Sequence, residues 1–189
     1  MLQLYGITSA ALSIFCLLPY IVDILKHKTR PERASWLIWS VLGFIAFFSQ
    51  MAEGATNSLW LTAAQTFIVT VVFILSIKFG SGGLIKRDIL SLIVAGLGIV
   101  LWVFTKEAAA ALYIVIAVDF TGSILTIVKS YEDPRSETLI TWILSGTAGF
   151  FGALSVGEWS FVLLSYPVYL WLINYVVAGA ILLGRRKTV

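Results

Sequence analysis

Apolar runs of about 20 residues recur along this chain. They constrain its fold more than any other feature, because the hydrocarbon core of a bilayer takes helices of about that length. The runs break at charged or Gly- and Asn-rich stretches and place spans at about 3–25, 35–53, 58–79, 88–105, 108–130, 137–156 and 160–183. Only 12% of residues are charged, against about 25% in a typical soluble domain. The pattern predicts an all-α integral membrane protein: seven transmembrane helices in a single domain over 1–189, with membrane lipids as partners. The net charge of +3 does not point to nucleic acid. The basic residues lie between apolar runs, where lipid headgroups and topology account for them.

Those basic residues also set an orientation. With the N-terminus outside, cytoplasmic segments hold Lys26, Lys28, Arg30, Arg33, Lys78, Lys86, Arg87, Lys129, Arg135, Arg185, Arg186 and Lys187, and Lys106 alone falls outside. This positive-inside bias supports an odd number of spans, a cytoplasmic C-terminus and a plasma (inner) membrane location. The outer loops carry Glu53, Glu107 and Glu158, expected to be solvated. The opening "MLQLYG" has no basic n-region, and no small-residue cleavage site follows the first run. That run is therefore expected to be a permanent helix.

Sliding the chain by 103 positions reveals a repeat. Ile21, Ile24, Lys26, Pro31, Trp39, Gly43, Phe47, Phe48 and Gly54 meet Ile124, Ile127, Lys129, Pro134, Trp142, Gly146, Phe150, Phe151 and Gly157. Lys, Pro, Trp and Gly align together at one offset, which apolar composition alone would not produce. Spans 1–3 (residues 1–80) thus repeat as spans 5–7 (107–184), and the unpaired span 4 (84–106) is a linker helix. Three spans invert direction, so the added span restores it. The expected architecture is a parallel 3+1+3 repeat about an axis along the membrane normal, a class of carriers that bind solute near the midplane.

In this layout the chain resembles the SWEET and PQ-loop superfamily. In "LLPYIVDILKHKTRPERASW", Pro19 is followed by Tyr20 where the namesake motif has Pro-Gln. The second copy, "FTGSILTIVKSYEDPRSETL", has Gly122 at the proline position. The superfamily handles sugars, amino acids and peptide signals, and it includes receptors as well as carriers. The resemblance implies a polar site with paired asparagines on the third helix of each triplet. Asn174 fits the second position, and Val71 occupies the first. It also implies aromatic residues beside the solute, for which Phe48 and Phe151 lie nearest the centre.

Helical spacing identifies the faces toward the axis. In span 1, Gly6, Ser9, Ser13, Cys16, Tyr20 and Asp23 form one stripe, and in span 5 Asp119, Ser123, Thr126 and Ser130 form another. The offset aligns the two, with Cys16 on Asp119 and Tyr20 on Ser123. Ser35, Trp39, Gly43, Ala46 and Gln50 in span 2 correspond to Thr138, Trp142, Gly146, Gly149 and Ala153 in span 6. Packing alone is the alternative reading of these small-residue faces.

Asp119 is the one ionisable residue near the midplane, where a carboxylate costs roughly 2.5 kcal/mol or more. Asn174 lies at about the same depth. A solute contact or a proton exchanged during transport would explain the retained carboxyl, and a hydrogen-bonded structural carboxyl is the alternative. The expected site is Asp119, Asn174, Ser123, Cys16, Phe48 and Phe151. Pro19 and Pro167 are candidate hinges. Tyr20, Asp23, Trp39 and Trp142 are candidates for a cytoplasmic gate, Trp39 and Trp142 sitting nearer the cytoplasm than the solute site. Tyr166 and Tyr169 are mouth residues or ordinary amphipathic rings, and Gln50 and Gln65 line an outer vestibule or bond between helices.

Other chemistries lack their parts. The single histidine, His27, falls in a cytoplasmic loop, and Cys16 is the single cysteine, so no His- or Cys-built metal site, disulfide or Ser/His protease is expected. No phosphate-binding Gly loop, cofactor motif or mid-span lysine in the last helix occurs. The expected function is a secondary carrier or facilitator for a small polar solute, working by alternating access and coupled to protons through Asp119. The alternative is a seven-helix receptor or sorting protein without transport. A homo-oligomer is compatible with either.

Overall fold

The structure, a computed structural model, describes residues 1–27, 31, 33–80, 107–135 and 137–187, with isolated positions between 86 and 104. Among these residues six helices are defined: α1 (Leu2–Leu25), α2 (Arg33–Ala52), α3 (Leu59–Phe79), α4 (Ala108–Glu132), α5 (Leu139–Leu154) and α6 (Phe161–Lys187). All but α5 are long and apolar enough to cross a membrane. At 16 residues, α5 is about 24 Å long, short of a bilayer core of about 30 Å. The predicted span 88–105 lies largely outside the described residues. Pro19 and Pro167 sit inside α1 and α6 without ending them, as neighbouring helices permit in a membrane.

Helix α1 is inside-out relative to a helix of a water-soluble bundle. On α1, the buried positions are Gly6, Ser9, Ser13, Cys16 and Ile24. Leu4 and Phe15 are 63% and 60% exposed, while Ser9 and Ser13 are fully buried. Lipid solvates the large apolar side chains, so small residues can turn inward and let backbones approach. The stripe expected on span 1 is therefore the buried face as far as Cys16, with Tyr20 and Asp23 half-buried.

Helix neighbours follow a regular scheme. In each half the third helix lies between the other two: α3 packs on α1 and α2, and α6 packs on α4 and α5. The halves meet where α1 packs on α5 and α2 on α4, with minor α3–α5 and α2–α6 contacts. Exchanging α1, α2 and α3 for α4, α5 and α6 maps this set of pairs onto itself. The turns after α2 and α5 also match. Gly54 and Gly157, 103 positions apart, have φ of 84° and 79°, a conformation costly for any residue with a Cβ.

Close approaches join second and third helices. A Cβ on Gly43 would lie 2.8 Å from Thr66 Oγ1, and one on Gly146 would lie 3.3 Å from the Trp171 carbonyl. Arg33 ties the end of α3 to the start of α2, donating to the carbonyls of Ser76 at 3.0 Å and Gly80 at 2.9 Å. Beyond α2, the Glu53 carboxylate accepts from the Ala109 amide at 3.0 Å. It caps the first turn of α4, a more specific role than the solvation expected of it.

Candidate functional site

Asp119 projects from the middle of α4, which packs against α2 and α6. The Tyr169 hydroxyl on α6 donates a hydrogen bond to Asp119 Oδ2. Ser123, one turn along α4, lies 3.4 Å from both Asp119 Oδ2 and the Tyr169 hydroxyl. The Trp39 side chain on α2 is a further hydrogen-bonding neighbour. Tyr166, one turn back on α6 and 7% exposed, lies within electrostatic reach of the same carboxylate. The carboxylate is half-buried and gathers donors from three helices, and none of these partners carries a positive charge.

The corresponding place in the other half is built differently. Cys16 is 2% exposed. Its thiol donates to the Ser13 carbonyl at 3.0 Å and accepts from Ser145 at 3.2 Å. Thr141 donates to the Cys16 carbonyl at 3.2 Å, and Ser9 to the Ala148 carbonyl at 2.7 Å. Cys16 is thus part of the α1–α5 seam, and no contact joins it to Asp119.

Several expected assignments change. Asn174 is buried, but its amide donates to the Leu170 carbonyl of its own helix at 2.7 Å, and its Cβ faces Gly146 on α5. It does not join Asp119. Phe48 is 46% exposed and falls on an outward stripe with Phe44 and Met51 at helical spacing, which is a lipid-facing surface rather than a solute wall. Phe151 is half-buried against Tyr5 and Phe150, with ring centroids 6.1 and 5.7 Å away. Trp39, expected nearer the cytoplasm, reaches Asp119 and also packs edge-on against Trp36 at 5.1 Å. Trp142 instead donates to Glu137 at 3.2 Å. Tyr20 stacks on Trp36 at 5.3 Å.

Gln50 is fully buried, and neither atom of its amide has a hydrogen-bond partner among the described residues. It lines no vestibule and makes no interhelical bond. Tyr169 is the principal residue that spacing alone did not assign to the site. The 103 offset aligns it with Thr66, so a polar group recurs at that position of both third helices. Among the described residues, no group of three His, Cys, Asp or Glu could hold a metal ion.

Fold and site together define a membrane-embedded helical protein with a carboxylate-centred polar cluster between its helices. No protein-family model, curated protein or solved structure matches the chain.

Proposed function

We propose that this protein is a secondary carrier for a small polar solute. In this reading seven spans form a parallel 3+1+3 repeat of the SWEET-like kind, with the N-terminus outside and the C-terminus cytoplasmic. The two triplets rock about their shared interface and expose Asp119 to each side in turn. The observation that carries the reading is the Asp119 cluster itself. A carboxyl is kept within an apolar bundle, at the meeting of two halves, with donors converging on it from α2, α4 and α6. Costly intramembrane carboxyls mark solute paths and proton relays. The exchange-symmetric packing supports two halves able to move as units.

The test is uptake into proteoliposomes of a panel of sugars, amino acids and vitamins, with and without a pH gradient. Asp119→Asn should abolish pH-driven uptake while exchange or binding persists. Unchanged uptake in that variant removes the proton role. Ligand binding with no flux in any variant makes the protein a receptor instead.

A further inference from the structure

The turns that follow α2 and α5 each reach across to the other half, and one of these straps is ionisable. The chain leaves α2 through a Schellman turn. The Ala55 amide donates to the Gln50 carbonyl at 2.9 Å and the Gly54 amide to the Met51 carbonyl at 3.2 Å, with Gly54 at a φ of 84°. Glu53 is the residue before that glycine, and its own amide donates to the Ser49 carbonyl at 3.0 Å. Its backbone is thus fixed, while its side chain leaves the first half. The carboxylate accepts from the Ala109 amide at 3.0 Å. That amide lies in the first turn of α4, where helix N–H groups carry partial positive charge.

The matching turn after α5 is uncharged. The offset of 103 sets Val156 at the position of Glu53. There the chain meets α1 by packing, and a Cβ on Gly157 would lie 2.5 Å from Leu2 Cδ1. Gly157 and Leu2 have nothing to titrate. Glu53 is half-buried, so water and protons reach it. A hydrogen bond to a carboxylate is about twice as strong as one between neutral groups, and negative charge is favoured at a helix N-terminus. A protonated Glu53 keeps its reach and loses both advantages. The strap is therefore strong above the titration range of the carboxyl and weakens as pH falls through it.

We propose that the Glu53–Ala109 strap is a pH-sensitive switch on α4, holding the first turn while the carboxylate is charged and releasing it as the solution on that side turns acid. That side is the outer one in the orientation proposed above; the switch itself requires no transport. Asp119 lies further along the same helix, so acidity at this face acts on the element that carries the buried carboxyl. The other charged or titratable groups at this end are Glu107 and Tyr113 in the α4 segment, Glu158 before α6, and Tyr5 and the Met1 amine on α1, and Lys106 adjoins Glu107 in the sequence. Glu107 is the nearest rival in sequence, because its carbonyl accepts from the Ala110 amide of the same first turn.

Amide hydrogen exchange on the purified full chain in detergent micelles tests the switch, each rate being corrected for the intrinsic effect of pH on exchange. Between about pH 7 and about pH 4, the range in which carboxyls outside the membrane core titrate, protection of the Ala109 amide should fall about 2- to 5-fold. Glu53→Gln should already show the lower protection at neutral pH and should not change with acid. Glu53→Ala should lower it about 5-fold at every pH. Glu107→Gln should leave the fall in place, and amides in the middle of α6 should stay protected throughout. Equal protection of Ala109 in the wild type and both Glu53 variants would overturn the proposal. So would a fall that persists in Glu53→Gln, one that disappears in Glu107→Gln, or a parallel loss in α6. None of these outcomes bears on uptake through Asp119, so the switch and the carrier reading stand or fall separately.

Discussion

Two seams join the halves of this bundle, and they are built from opposite materials. Along α1 and α5, Ser9 and Cys16 meet Thr141, Ser145 and Ala148: the Ser9 and Thr141 hydroxyls donate to backbone carbonyls across the gap, and Ser145 donates to the Cys16 thiol. Along α2 and α4, Leu42, Ile45 and Ala46 cluster with Ala111, Leu112, Val115 and Val118. The repeat offset sets Ser9 against Leu112, Ser145 against Leu42 and Ala148 against Ile45, so small residues in one seam stand where large ones stand in the other. The small-residue seam is the more extensive, because backbones separated by Ser and Ala approach closely. The large-residue seam is the less extensive of the two, and Asp119 lies along it, with Trp39 of α2 as a neighbour. One interface serves as a close joint, and the other accommodates a site.

Exchanging the two centres is the severest challenge to this distinction. In the double variant Cys16→Asp with Asp119→Cys, the carboxyl moves into a fully packed seam where Ser145 is its one side-chain donor. Stability in micelles should fall by roughly 2.5 kcal/mol or more, and uptake should vanish. Uptake retained by the exchanged protein would show that the halves are interchangeable.

Volume probes the seams themselves. Ala148→Leu forces a larger side chain into the small-residue joint and should cost about 1–3 kcal/mol in thermal or denaturant unfolding, whereas Ile45→Leu at the matching position should cost less than about 1.5 kcal/mol. Equal costs would erase the contrast. At the matched hydroxyls, Tyr169→Phe removes a donor to Asp119 and should destabilise by about 1 kcal/mol while slowing uptake. Thr66→Val removes a hydroxyl that has no partner among the described residues, and its effect should range from neutral to slightly stabilising. A small loss is also expected from Glu53→Gln, which keeps the cap but loses its charge. A loss of about 0.3–1 kcal/mol, greater at low salt, should appear as a small drop in melting temperature.

The inward faces were legible in the sequence because small and polar residues stand out against apolar composition. The spacing of Gly6, Ser9, Ser13 and Cys16 was enough to find the buried face of α1. The aromatic residues were less legible, since lipid-facing and solute-facing surfaces both favour them. Phe48 and its repeat partner Phe151 looked like a pair beside a solute, yet one faces outward and the other packs on Tyr5. Trp39 was assigned by the depth of its backbone, and the reach of the indole carries it to Asp119. Asn174 looked like the natural companion of Asp119 by depth, but it lies on the side of α6 that faces α5. Tyr169 carried no local mark at all. Its role depends on α6 lying beside α4, which is a matter of tertiary packing. The cap of Glu53 on Ala109 was equally hidden, because its partner amide is 56 residues away.

That cap has a mechanical consequence. Helix α2 holds α4 at two heights: Glu53, just beyond its far end, grips the first turn, and Trp39, near its beginning, meets the carboxyl midway along. A piston-like slide of α4 by one residue, 1.5 Å, would strain both attachments together. The paired attachments thus act as a ruler that fixes the depth of Asp119 against α2.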